Sequence, residues 1–250
     1  MKLSRYPLWP AHQAADPSLT DEGLRSRVIA AYGADAVQDD RELTQIVEFA
    51  ARLCDVPVAL VTLVEEHRQR FVARKGLAKE ETPRSTSLCS HAMSGRGPMV
   101  VPDASADERF AEMELVAGEN GIRFYAGHPL VSSEGVPLGA LCVIDREARP
   151  EGLNALQREG LEVLSRAVMR RLTSERDAAY AENKIEVSEL RTRQLAENLP
   201  VYAWAANTEG AVEYANPALY GFVGADDLSE FDFDRLVHPD DAEELSAARK

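Results

Sequence analysis

The sequence predicts an α+β fold, an antiparallel sheet with helices on a face. Three observations lead there: continuous β-branched runs, hairpin-length turns between them, and helical apolar spacing at both ends of the strand-rich segment. Residues 1–20, with Trp9-Pro10 and Asp16-Pro17, read as an extended arm. Thr20-Asp-Glu-Gly then starts a helix that runs to Tyr32 and ends at Gly33. From Asp39 a second helix carries Leu43, Ile46, Val47, Ala50 and Leu53 at three-and-four spacing, and Pro57 closes it. Val58-Ala-Leu-Val-Thr-Leu-Val64 has no polar alternation, as a strand covered on both faces requires. After a turn at Glu65-Glu66-His67, residues 68–74 alternate polar and apolar through Phe71 and Ala73, so the two runs form a hairpin.

Residues 75–87 are polar, hold Pro83 and are expected as a loop, with a short helix behind it at Leu88-Cys-Ser-His-Ala-Met93. Pro98-Met-Val-Val-Pro-Asp103 is a strand bounded by prolines, which suits an edge or terminal position. A helical stretch with Phe110, Met113 and Leu115 is expected to reach Gly118. Residues 122–132 and 137–145 are apolar strands on either side of the turn Ser133-Glu-Gly-Val136. The expected sheet has five strands, and the domain occupies residues 21–152.

Residues 153–196 read as one long helix. Leu153, Leu156, Val163 and Ala167 share one face, and Leu161, Leu164, Val168 and Leu172 share a neighbouring one. The expectation is that the first face closes the domain core and the second forms a homodimer interface. Apolar residues thin out past Leu172 and return at Ile185, Val187, Leu190 and Leu195. That is the profile of a connecting rod, which at about 1.5 Å per residue spans roughly 60 Å. Beyond Pro200, residues 197–250 hold a strand–turn–strand pattern around Asn207-Thr-Glu-Gly210. A helix start follows at Asn216-Pro217, and another begins at His238-Pro-Asp-Asp.

Composition narrows the function classes. The formal net charge is −14, from 42 acidic against 28 basic side chains, which repels phosphate backbones and anionic membranes. The cationic patches, residues 2–5 and 166–171, carry no interleaved aromatics and read as solvated surface. No stretch approaches the ~18–20 apolar residues of a membrane span, and the N-terminus lacks the apolar core of a secretory signal. Nucleic acid and membrane are therefore not expected partners. Three cysteines, Cys54, Cys89 and Cys142, with no CxxC pair, fit a reducing compartment, so the expected location is the cytoplasm.

Five blocks in order carry a resemblance over residues 24–172. They are Cys54-Asp-Val-Pro-Val-Ala-Leu-Val-Thr-Leu-Val64, Glu81-Thr-Pro-Arg-Ser-Thr-Ser-Leu-Cys-Ser-His-Ala92, Val101-Pro-Asp103 with Asp107-Glu-Arg-Phe110, Ile122-Arg-Phe-Tyr-Ala-Gly-His-Pro-Leu130 and Leu138-Gly-Ala-Leu-Cys-Val-Ile-Asp145. This segment resembles a GAF domain of bacterial signalling proteins, a fold that serves many ligands or none. Residues 195–250 resemble the first half of a PAS domain through Asn207-Thr-Glu-Gly210, Val212-Glu-Tyr-Ala-Asn-Pro217, Tyr220-Gly-Phe and Val237-His-Pro-Asp-Asp241. The three later strands of that family are absent, so the expectation is a piece of a longer protein.

Cys89-Ser-His91 is the first place to look for chemistry, as a thiolate pair, a metal half-site or a redox switch. Residues two apart share a face in a strand and diverge by about 200° in a helix, and no further ligands stand nearby, so no metal site is expected. The competing reading packs Cys89 beside the sheet, where Cys142 also lies. Arg123, Tyr125 and His128 stand on a strand suited to burial, and their polar ends need partners. A ligand pocket lined by Phe71, Cys89, His91, Phe110, Arg123 and Tyr125 is the functional reading. The bland one pairs Arg123 with one of the many acids, for instance Asp103 or Asp107, and uses Tyr125 to close the core. Trp204, Tyr214 and Phe222 are the candidate pocket residues of the PAS-like segment, with core packing as their alternative.

The cofactor is unknown, and the cysteines do not stand where the bilin attachment of phytochrome GAF domains requires one. The resemblance implies a sensory input module. It would bind a small molecule, act as a homodimer and signal through the helix to an output domain, foremost a histidine kinase. The alternatives are the input region of a diguanylate cyclase or phosphodiesterase, and a GAF-type thiol redox enzyme such as a methionine sulfoxide reductase.

Overall fold

A computed structural model of the chain describes residues 22–95, 97–198, 200–207, 212–224, 227, 238 and 240. The expected N-terminal arm, most of the turn at 207–210 and most of the motif at 237–241 lie outside the described residues. The chain divides into two units, residues 1–179 and 180–250.

The first unit begins with α1 (Glu22–Ala31) and α2 (Arg41–Cys54). Asp40 caps α2 by accepting from the Leu43 amide at 3.0 Å, and Asp55 in the left-handed region ends it. Leu43, Ile46, Val47, Ala50 and Cys54, spaced three and four apart, are all buried. The strands are β1 (Val58–Val64), β2 (Arg68–Lys75), β3 (Glu81–Pro83), β4 (Met99–Val101), β5 (Phe124–Val131) and β6 (Pro137–Asp145), in the order β3-β2-β1-β6-β5-β4. Every neighbouring pair is antiparallel.

The sheet therefore has six strands, one more than expected. The extra strand, β3, comes from the segment expected as loop, where Glu81 pairs with Arg68 at 2.9 Å and Pro83 sits at the strand end on an open edge. The helix expected up to Gly118 shrinks to one turn, α4 (Glu114–Ala117). The carboxylates of Asp103 and Asp107 accept from the amides of Ser105 and Arg109, both at 3.0 Å, and these local bonds turn the backbone away from a helix. The central strands lie close together because Gly139 has no side chain. A Cβ there would stand 1.9 Å from the Thr62 carbonyl oxygen of β1.

Strand alternation divides the interior into two layers. Ala59, Val61, Leu63, Phe124, Ala126, Leu138, Leu141 and Val143 face α1, α2 and the long helix. Leu60, Val64, Phe71, Tyr125, Ala140 and Cys142 face the other way, onto α3 (Leu88–Ala92) and the connection around Phe110 and Val116.

The long helix, α5, runs Ala155–Asn198 over 44 residues. A reciprocal capping box opens it, Gln157 N to Asn154 Oδ1 at 2.9 Å and Asn154 N to Gln157 Oε1 at 3.0 Å. The face expected to form the dimer is the one that docks. Leu161, Val168 and Leu172 are fully buried in the domain's own core, and Leu164 is partly buried against it. They are not a free dimer face. Leu156 and Val163, expected in the core, are 67% and 47% exposed, while Leu153 is buried as expected and Ala167 partly so. The docked row is Leu161, Ser165, Val168 and Leu172, and buried Ser165 bonds His128 Nδ1 of β5 at 2.8 Å. Arg171 fixes the rotation of α5 by holding Asp40 at 2.8 Å, and Arg176 adds bonds to Tyr32 Oη at 3.0 Å and Glu134 at 3.1 Å.

In the second unit, Tyr180, Ile185, Val187, Leu190 and Leu195 of α5 are exposed. The hairpin β7 (Trp204–Ala206) and β8 (Val212–Ala215) leads into α6 (Pro217–Val223). Asn216 is fully buried and ties these pieces together. Its Oδ1 accepts from the amides of Ala203 and Leu219, and its Nδ2 donates to the carbonyls of Ala196 and Val201. Trp204 and Phe222 are 49% and 60% exposed, so among the described residues neither lines an enclosed pocket or a core. Phe222 stacks on Tyr202 with centroids 4.6 Å apart, a surface pair, and Tyr214 is partly buried.

Candidate functional site

On the sheet face away from α5 lies a cavity of about 220 Å³. Leu60, Phe71, Leu77, Leu88, Leu115, Ile122 and Ile144 make its apolar wall, and Gln69, Ser87, Cys89 and Tyr125 bring polar atoms into it. Exposed Lys79, Asn120 and Arg146 stand on its rim. Asp145, also on the wall, is engaged by Arg149 at 2.7 Å, which leaves the rim cationic.

The polar floor is built from the sheet outward. Ser87 caps α3 by accepting from Ser90 N at 3.1 Å, and its own hydroxyl donates to Oε1 of buried Gln69 on β2. This bond sets α3 against the sheet and points Cys89 inward. There Cys89 Sγ lies 3.5 Å from Cys142 Sγ of β6 and accepts from the Tyr125 hydroxyl of β5 at 3.2 Å. Gly127 makes room for that hydroxyl: a Cβ at this position would stand 2.2 Å from Tyr125 Oη. All three groups are buried.

Burial raises the Cys89 thiol, but its hydrogen bonds with Cys142 and Tyr125 outweigh it and hold Cys89 below the ordinary thiol value. Cys142 goes the other way, well up, through its bond to Cys89 and through burial. Tyr125 is pushed well above the usual phenol value by burial and by the neighbouring thiols, so it stays a donor. Cys54 lies in the other layer, where burial pushes it up to about 11.

The GAF domain family matches residues 40–172 of the 250, just over half the chain. The chain belongs to the GAF domain family. A cyclic di-GMP phosphodiesterase of Pseudomonas aeruginosa is 38% identical over 167 residues, which cover 67% of this chain and 28% of that protein. The chain thus spans a little over a quarter of its relative's length. Among solved structures, the GAF domain of an Acinetobacter phosphoenolpyruvate-protein phosphotransferase is 19% identical with a TM-score of 0.44, covering 65% of this chain and 97% of that one. The free methionine-R-sulfoxide reductase of Neisseria meningitidis, solved with its substrate, is also 19% identical with a TM-score of 0.44, covering 66% and 96%.

Of the six residues expected to line the GAF pocket, Phe71, Cys89 and Tyr125 do so. His91, Phe110 and Arg123 do not. Two positions of α3, about 200° around the helix, separate Cys89 from His91, so Cys89 enters the interior while His91 stays exposed, edge-on to Phe110 with centroids 5.1 Å apart. Burial, then Arg109, depresses the His91 imidazole. Phe110 is fully buried in the wall behind the cavity. Arg123 hydrogen-bonds neither aspartate, although, behind the Ser105 hydrogen bonds, its charge helps to lower the Asp103 carboxyl. Its guanidinium donates to the carbonyls of Val116 at 2.8 Å, Gly118 at 3.0 Å and Ile122 at 3.2 Å, bracing the loop that supplies Leu115 and Ile122 to the cavity. Asp107 is taken instead by Arg109 at 2.7 Å.

Gln69, Ser87 and Gly127 were not singled out from the sequence. Their roles depend on what faces them across the sheet, although Ser87 before a short helix carried a capping signal. Among the described residues, no three His, Cys, Asp or Glu side chains converge as a metal site would need. No described helix is long and apolar enough to cross a membrane.

Proposed function

We propose that this GAF domain is the sensory input of a cyclic di-GMP-metabolising protein, taking a small, mainly apolar molecule with an anionic end into the sheet-face cavity. The observation that carries this reading is the placement of cavity and signalling helix on opposite faces of the same strands. On β1, β5 and β6, Leu60, Tyr125 and Ile144 face the cavity, while their neighbours Val61, Ala126 and Val143 face the layer that holds α5. A ligand that shifts these strands therefore shifts the seat of Leu161, Val168 and Leu172. Lys79 and Arg146 on the rim favour the anionic end.

The Pseudomonas phosphodiesterase supports a cyclic di-GMP output in preference to the histidine kinase expected first. We further propose a cytoplasmic homodimer, now through the exposed side of α5 at Leu156 and Val163 and through Ile185, Val187, Leu190 and Leu195 farther along. The hairpin and α6 of the second unit we read as the opening of a PAS-like domain.

Native mass spectrometry of freshly purified protein tests the input. A small molecule should travel with the wild type and be lost from Leu77→Trp, which fills the cavity mouth. For the output, residues 22–198 are placed in the Pseudomonas relative in place of its matching segment and cyclic di-GMP hydrolysis is measured. Hydrolysis that ignores the Leu77→Trp plug would overturn the coupling.

A further inference from the structure

We propose that Cys89 and Cys142 are a reversible disulfide pair, closed by a hydroperoxide admitted through the sheet-face cavity. The two sulfurs come from residues 53 apart in the chain and stand 3.5 Å from each other. A disulfide needs about 2 Å, so side-chain rotation of about 1.5 Å closes the gap. Each thiol sits in a different environment. Cys89 lines the cavity, while Cys142 stands behind it on β6. A hydroperoxide of about two waters' bulk, roughly 60 Å³, fits within the 220 Å³ available.

The chemistry assigns the roles. Cys89 is the nucleophile: it receives the Tyr125 hydroxyl at 3.2 Å, and its thiolate is the favoured one of the pair. Its sulfur attacks one peroxide oxygen, the O–O bond breaks, and the departing oxygen leaves as water or alcohol after taking a proton. Cys89 becomes a sulfenic acid. The Cys142 sulfur then attacks Cys89 Sγ, the S–O bond breaks, and water leaves with the Cys142 proton as the S–S bond forms. Two thiols and one hydroperoxide yield one disulfide, one water and one alcohol, or two waters where the oxidant is hydrogen peroxide, the thiols giving up two electrons to the peroxide. A dithiol reverses the step by exchange. The bond would tie α3 covalently to β6, fixing one cavity wall to the floor. The pair stands independently of what the cavity binds.

The full chain is titrated with hydrogen peroxide, denatured, alkylated and peptide-mapped. Two of its three thiols should disappear together, a Cys89–Cys142 cross-linked peptide should appear, and dithiothreitol should remove it. The Cys54→Ser variant should behave identically. Cys142→Ser should stop at a Cys89 sulfenic acid that dimedone captures, and Tyr125→Phe should oxidise about tenfold more slowly, as the loss of one hydrogen bond to a thiolate predicts. The proposal is overturned if wild-type thiols oxidise one by one without that peptide, or if Cys54 or an intermolecular disulfide takes its place. The wild-type map decides this even where a variant fails to fold.

Discussion

Truncating Leu161 to alanine puts the assignment of the α5 faces to a quantitative test. Leu161 is fully buried in the layer that also contains Leu43, Val47 and Leu141. Removing a side chain in such a place costs about 2–5 kcal/mol, the transfer term plus the cavity left behind. For a domain of this size 1 kcal/mol moves the midpoint by about 2–4 °C, so the melting temperature should fall by roughly 4–20 °C. The double variant Leu156→Ala and Val163→Ala, on positions 67% and 47% exposed, should stay within about 0.5 kcal/mol of wild type. Urea unfolding at fixed protein concentration measures both, and sedimentation velocity measures association beside it. Leu161→Ala should lose stability and keep its association, whereas the exposed pair should do the reverse. An exposed pair that costs as much unfolding free energy as Leu161→Ala would refute the placement of the helix.

Asp40 should give the domain an acid-dependent stability. Burial raises its carboxyl, but the Leu43 amide and Arg171 bring it below the usual value. Its contribution is thus present above the unfolded value near 3.9 and lost as pH falls through the lower folded value. Asp40→Ala should cost about 0.5–2 kcal/mol at neutral pH and flatten the stability profile below about pH 4, read by urea titration across pH. Gly139→Ala brings a Cβ within 1.9 Å of the Thr62 carbonyl and should destabilise by at least about 1–3 kcal/mol, or prevent folding, as circular dichroism melts would report. Asn216→Ala removes four hydrogen bonds within the second unit. Hydrogen exchange over residues 201–207 and 212–224 should accelerate toward the unfolded rate, while strand β1 keeps its protection.

Local patterns of the sheet and of α2 were legible because each is set by neighbours in the chain. The β-branched run at Val58–Val64 and the turn at Ser133–Val136 need no distant information to become a strand and a hairpin. The strand at Glu81–Pro83 was hidden because it is three residues long and pairs only through β2. Half of the candidate pocket was legible for a related reason. Tyr125 and Phe71 alternate inward on strands, whereas the direction of Arg123 was set by the carbonyls of a loop whose path periodicity does not report.

The sequence by itself determined that α5 would be long, that it would carry two apolar faces, and that a sheet of GAF type would precede it. It did not decide which face docks. The two faces are similarly apolar, and the buried row even contains a serine, so hydrophobicity could not rank them. Docking was decided by partners on other elements: His128 bonded to Ser165, and Asp40 receiving Arg171 from 131 residues away. The meeting of Cys89, Tyr125 and Cys142 has the same origin. Residue type supplied a thiol, a phenol and a second thiol, but only the pairing of strands β5 and β6 beneath α3 brought their side chains within 3.5 Å.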